Sequence, residues 1–203
     1  MTLQPRAAIS GCLGVILLLF SVSALASDRG PRFTRTEVEL EIPAVTLINQ
    51  EGDTVDFRAQ LLTDKPVVVD FIFATCTTIC PVLSAGYSNI QRKLDDSQNR
   101  VYLVSITIDP EHDGPEELAT YLQRYRAKPG WDFLTGTRED IDRVMKAFEA
   151  FVPDKMSHRP LMFIRSPKNG KWVRLHGFAG SADLLKEIRL ASGGSSPEEV
   201  GDE

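Results

Sequence analysis

Cysteine and histidine are scarce in this chain, with three of each in 203 residues. So few thiols exclude a disulfide-framed scaffold. No basic tract interleaved with aromatics is present and the formal charge is −5, so nucleic acid is not an expected partner. Internal repeats are absent, as is any second block of core-forming sequence. A composition of 42% hydrophobic and 25% charged residues is that of one globular domain. Its mild acidity serves solubility and suits docking to a basic partner surface.

The only long apolar run stands at the start. Arg6 supplies a short positive region, residues 13–20 are strongly apolar, and Ala24-Leu25-Ala26 matches a small-residue cleavage site, so residues 1–26 read as a signal peptide. The alternative is a retained membrane anchor, because residues 7–27 carry no charge and ~20 apolar residues span a bilayer. Either way the globular part lies outside the cytoplasm. Cys12, in Ile9-Ser10-Gly11-Cys12, resembles a lipoprotein cleavage box, but the apolar run follows it instead of preceding it, so it reads as a signal-segment residue.

The chemistry concentrates between Lys65 and Leu94. Val67-Val68-Val69-Asp70-Phe71-Ile72-Phe73 is short, β-branched and aromatic, as a strand buried on both faces should be. Beyond it, Ile79, Leu83, Tyr87, Ile90 and Leu94 recur at helical spacing. Cys76 and Cys80 therefore stand where a buried strand hands over to a helix N-terminus, where free N–H groups and the macrodipole favour thiolate. On one helical face, Cβ atoms four residues apart are roughly 5–6 Å from each other, whereas a disulfide wants about 3.5–4.5 Å. That spacing suits a shared soft metal, and a disulfide stays open if Cys76 lies in the loop before the helix.

Along the rest of the chain, residues 27–36 read as a flexible lead-in, and Val38, Leu40 and Ile42 alternate with glutamates as a half-exposed strand ending at Pro43. Residues 45–48 and 54–57 read as a hairpin. Residues 101–108 form a second buried strand, followed by the acidic turn Asp109-Pro110-Glu111-His112-Asp113-Gly114-Pro115 and a helix with Leu118, Tyr121, Leu122 and Tyr125 on one face. Two such strand–helix units favour a parallel sheet. Residues 131–134 suit a short edge strand. Thr137 to Asp140 resembles a capping box for a helix turning Ile141, Val144, Met145, Phe148 and Phe151 inward. A loop carrying His158 leads to an antiparallel pair, residues 161–165 and 171–175. Ser181 is expected to cap a last helix, and residues 191–203 form a disordered Gly/Ser/Glu tail.

This order of elements resembles the thioredoxin fold: α/β, a central mixed sheet flanked by helices, here with an extra N-terminal β-hairpin. Asp70 strengthens the likeness, since thioredoxins carry a buried Asp at this place in a Val-Asp-Phe strand. More specifically, residues 37–190 resemble the SCO (SenC) family of copper-binding proteins. The features that carry it are Cys76-x-x-x-Cys80-Pro81, Asp109-Pro110-Glu111-x-Asp113-x-Pro115, Trp131-x-Phe133-Leu134-Thr135-Gly136, and His158 just before a strand. The resemblance implies one copper, Cu(I) or Cu(II), held by Cys76, Cys80 and His158, and a metallochaperone role in assembling a cytochrome oxidase copper centre. Its partners would be the copper-site subunit of a respiratory oxidase or another copper client, together with a thiol reductant. The location would be the bacterial periplasm, soluble or anchored to the inner membrane by residues 7–27. Thiolates select Cu(I) and imidazole suits either oxidation state, so the donor set is chemically apt. The chain departs from the family at Thr75, Thr77 and Thr78, where members commonly have a His before the first Cys and Pro-Asp after it. By the same likeness, Pro160 falls where the cis-proline of thioredoxins lies.

Two other readings remain open. As a thiol–disulfide oxidoreductase, the protein would attack client cysteines with Cys76, taken as the thiol nearer the helix start and the more exposed, and resolve with Cys80. Asp70 would then act as a buried proton acceptor beneath the thiols, against the plainer reading of a carboxyl hydrogen-bonded for structure. A permanent disulfide would make a redox-inert module, although so small a loop removes little unfolded-state entropy. Loss of His158 separates the first two readings, because it is expected to abolish tight copper binding and spare dithiol exchange. His112 and His176 read as surface histidines, Met156 as packing, and Asp109 and Asp113 as shapers of their loop.

Overall fold

The computed structural model describes residues 32–94 and 101–194; the expected signal segment, residues 27–31 and the tail from 195 on lie outside the described residues. The chain runs β1 (Phe33–Val38), β2 (Thr46–Ile48), β3 (Thr54–Asp56), α1 (Phe57–Leu61), β4 (Val67–Ile72), α2 (Cys80–Lys93) and β5 (Tyr102–Thr107). It continues α3 (Pro115–Arg124), β6 (Trp131–Leu134), α4 (Arg138–Ala147), β7 (Leu161–Arg165), β8 (Trp172–Gly177) and α5 (Ser181–Ala191). Six strands form one sheet in the order β1-β8-β7-β4-β5-β6. β4, β5 and β6 are parallel, joined through α2 and α3, while β7, β8 and β1 run antiparallel. The sheet is therefore mixed, as expected.

β4 is buried at every residue, Asp70 included, as its otherwise apolar run requires of a strand with helices on both faces. Its central place means that whatever follows it starts in the middle of the sheet's upper edge. Around it, Phe148 packs edge-on or tilted against Phe57, Phe71, Phe163 and Trp172, tying α1, α4 and three strands into one core. The N-terminal hairpin, β2 with β3, is present. It covers the open edge of β6: Ile48 and Thr135 exchange backbone hydrogen bonds at 2.8 Å, and the Gln50 side chain accepts from the Phe133 N–H at 2.8 Å. A sheet edge left bare would invite pairing with another chain.

Several expectations are corrected. The first strand covers Phe33–Val38 and not the Val38–Ile42 alternation, so the lead-in read over residues 27–36 is partly β1. Backbone pairing to β8, from Phe33 with Gly177 to Val38 with Trp172, holds this polar edge strand. The Arg35 Nε–H adds a hold on α5 by donating to both Glu187 oxygens at 3.1 and 3.0 Å. Leu40 and Ile42 still pack against the core from an irregular segment. Gly177 is required at this junction: its φ is +114°, and a Cβ there would meet the Arg32 carbonyl oxygen at 2.5 Å. Helix α4 ends before Phe151, which is 41% exposed and not inward-facing. Ser181 is the first helical residue of α5, and Gly180 is the cap, its N–H bonded to the Asp183 carboxylate at 2.9 Å. The short α1, capped by Asp56, carries too few residues to show a helical period. No cis peptide occurs among the described residues, so the bond before Pro160 is trans.

Candidate metal centre

Cys80 is the first residue of α2, with Pro81 directly behind it, and Cys76 lies in the loop before the helix. The four-residue spacing therefore does not put both thiols on one helical face. Instead a turn closed by the Cys76 N–H on the Phe73 carbonyl (3.1 Å) folds the loop back over the helix start. Both cysteines are free, and both are buried, Cys80 fully and Cys76 to 8% exposure. The acidic turn after β5 supports this loop from beneath. The Asp113 carboxylate accepts from the Ala74 N–H at 3.0 Å and from the Thr107 hydroxyl at 2.6 Å.

His158 arrives from the far side of the sheet. It ends a single 3-10 turn, Lys155–Ser157, immediately before β7. Its Nδ1 lies 2.9 Å from the Lys155 carbonyl, which can only accept, so Nδ1 carries the proton. The opposite nitrogen, Nε2, presents a lone pair to the Cys80 sulfur at 3.4 Å. Burial holds the imidazole's pKa below its usual 6.5, and the Lys155 carbonyl offsets this only in part, so the ring stays neutral in the form that binds metals. The Phe73 ring meets it edge-on at 5.4 Å.

The two thiols differ electrostatically. Burial opposes ionisation of Cys76, but hydrogen bonds from the Cys80 side chain and from the amides of Cys80 and Thr78 outweigh it and lower its pKa. The Thr78 hydroxyl stands 3.6 Å from the same sulfur. Cys80 goes strongly the other way, first through burial and then because its proton is shared with Cys76. Asp70 lies beneath them on β4, and burial pushes its carboxyl up to about 7, with Ser105 across the strand pair easing this a little. The Ser105 side chain is the group that eases the Asp70 charge, and neither Asp70 oxygen has a hydrogen-bond partner of full geometry.

One donor atom from each of Cys76, Cys80 and His158 lies within 4.8 Å of the other two, and this is the metal-competent cluster among the described residues. Two soft sulfurs and one imidazole nitrogen make a set that suits copper in either oxidation state and leaves a hard cation unserved. Asp109 and Asp113 are used in holding loops together. His112 is exposed and bonds Asp109 through Nδ1 at 2.9 Å. His176 is exposed, and Met156, expected to pack, is 69% exposed. Sequence reasoning missed Lys155. Its ammonium pairs with Asp109 and lies 5.2 Å over the Phe73 ring. Burial works against the Asp109 charge, but Lys155 and His112 outweigh it and keep that carboxylate ionised below the usual range.

The SCO1/SenC family profile matches residues 34–189. The chain belongs to the SCO1/SenC family. It is 28% identical over 173 residues to the SCO1 protein homolog of Bacillus subtilis (strain 168), covering 80% of this chain and 89% of that protein. It is also 32% identical over 146 residues to a Stutzerimonas stutzeri protein whose name assigns it copper binding, covering 68% and 70%. Among solved structures, BsSco, a member of the Sco family of cytochrome c oxidase assembly proteins in which a disulfide switch has been identified, superposes with a TM-score of 0.64. The identity there is 28%, over 77% of this chain and 95% of that one. The SCO1/SenC match covers β1 through most of α5, and so includes both thiols, the acidic turn and His158.

Proposed function

We propose that this SCO1/SenC protein is a metallochaperone that binds one copper through Cys76, Cys80 and His158 and hands it to a client, the copper-site subunit of a respiratory oxidase. The observation that carries this reading is the convergence of two free thiols and a neutral imidazole Nε2 from three separate segments. Copper is cargo here. Cys76, whose pKa lies below that of an ordinary thiol, ionises more readily than Cys80, and both thiols give up their protons as copper binds. Met156 and Val82, each two residues from a ligand in sequence, are both exposed, and client contact is expected around the loops that carry Thr75 and His158. A thiol reductant keeps the pair able to load. The family relation and the signal-like N-terminus support a periplasmic setting; no helix among the described residues is long and apolar enough to cross a membrane.

The unequal thiols favour one second reading, dithiol exchange. The Cys76 thiolate attacks a client disulfide sulfur and releases the first client thiolate. Cys80 then loses its proton and attacks the Cys76 sulfur, forming the Cys76–Cys80 disulfide and releasing the second. Competition of the reduced chain against a chromophoric Cu(I) chelator tests the copper reading. Uptake of one equivalent, lost after oxidation to the disulfide and lost in Cys80→Ser, is the expected result. Equal uptake by Cys80→Ser would contradict it.

A further inference from the structure

Three loops meet at the candidate site, and a closed ring of contacts joins them through Lys155. The Lys155 carbonyl accepts from His158 Nδ1 at 2.9 Å. The ammonium at the other end of the same residue pairs with Asp109 and covers the Phe73 ring. From Asp109 the ring continues through its N–H to Thr107 Oγ1 at 2.9 Å, and from the Thr107 hydroxyl to Asp113 at 2.6 Å. Asp113 then holds the Ala74 N–H, next to Phe73, whose edge returns to the imidazole. Asp109 is 4% exposed and the Lys155 side chain 34%, so this pair is not one of the solvent-screened surface pairs that contribute little. Apart from it and from the contacts of the His158 ring itself with Cys80 and Phe73, the bonds within the 3-10 turn are local: the Asp154 side chain on the Met156 N–H and two short-range bonds to the Asp154 and Lys155 carbonyls. Such bonds shape the turn without anchoring it to the cysteine loop.

We infer that the Lys155–Asp109 pair is a clasp that sets the presentation of His158 to the two thiols and thereby biases the site toward Cu(II) relative to a site with a loose imidazole. Lys155 is a positioning residue: it acts through His158. The inference rests on the copper reading. Its physical basis is that soft Cu(I), which has little geometric demand, still finds a His158 imidazole that is present but loosely held, whereas Cu(II) depends on that nitrogen donor being held in place. Outer groups that orient a ligating histidine are worth about 10–100-fold in affinity.

The test compares Lys155→Met, Lys155→Arg, Asp109→Asn and the Lys155→Met/Asp109→Asn double variant with the full chain, using Cu(I) competition, Cu(II) titration, and the thiolate-to-Cu(II) absorption band. Lys155→Met and Asp109→Asn are each expected to weaken Cu(II) about tenfold and to move the band, with Cu(I) affinity changed by less than about threefold. The double variant should be no worse than either single one, and Lys155→Arg should stay near the parent. Intact Cu(I) affinity doubles as the check that the variants are folded. A metal-free readout runs in parallel: two-bond 1H–15N spectra should show His158 as one Nδ1–H tautomer in the parent and as an exchanging ring in Lys155→Met. Equal losses for both oxidation states, no change for either, or additive losses in the double variant would each overturn the clasp. A parent chain that binds neither ion would overturn the copper reading instead, leaving the tautomer result to judge the clasp.

Discussion

Replacing Asp70 by Asn is expected to raise the unfolding free energy of the reduced, metal-free protein by roughly 4 kcal/mol at pH 8 and to change it little at pH 4. The carboxyl is fully buried on β4, and burial outweighs the easing effect of the Ser105 side chain and moves its pKa from 3.8 to about 7. The folded state therefore keeps a proton that the unfolded chain releases above pH 3.8. Because the folded protein binds more protons across that window, stability falls as pH rises from about 4 to 7 and is level beyond it, at about 1.36 kcal/mol per pH unit. Asn has the same shape and cannot ionise, so the slope disappears. Urea midpoints at half-unit steps from pH 4 to 8 measure it, and parallel profiles for parent and variant would refute the argument. The stability given up is linked to the site, because the Asp70 charge is among the causes that raise the Cys80 thiol.

Removal of the Asp113 carboxylate has the second large effect, in the opposite direction. Asp113→Ala strands the Ala74 N–H and the Thr107 hydroxyl, and Thr107 is fully buried. At about 1–3 kcal/mol for each buried group left unpaired, a loss of about 3 kcal/mol is expected. Asp113→Asn, which keeps an acceptor oxygen, should lose less than half as much. Because Ala74 begins the loop that carries Cys76, the Ala variant should also expose that thiol and speed its alkylation under native conditions. Chemical denaturation and alkylation followed by mass spectrometry supply both numbers. A loss under about 1 kcal/mol with an unchanged alkylation rate would mean that the acidic turn does not support the cysteine loop.

What was legible in the sequence is what local pattern encodes. The continuous apolar run of β4, the helical stripe of α2 and the alternating strand–helix order led to the mixed sheet, and the spaced motifs led to the family. The hairpin at residues 46–56 was equally plain because its turn residues are local. Edge pairing was not, since β1 is held by backbone bonds and by Arg35 reaching Glu187, 152 positions away, and a polar edge strand looks like a linker. At the site, Cys76, Cys80 and His158 are named as ligands by resemblance, while the spacing leaves Cys76 either on a shared helical face or in the loop before the helix. The Phe73–Cys76 turn gives the second, bringing the thiols together from loop and helix. Lys155 left no trace in the sequence at all, because its meaning lies in a partner 46 residues upstream.

The most direct test of the account is Cu(I) competition on the reduced full chain beside its His158→Ala variant. The three-donor site predicts one-to-one binding by the parent and at least a hundredfold loss in the variant, about 2.7 kcal/mol or more, with the exchange of the two thiols against a small disulfide left intact. Binding that is weak in the parent, or indifferent to His158, would contradict the site and leave dithiol exchange as the function of Cys76 and Cys80.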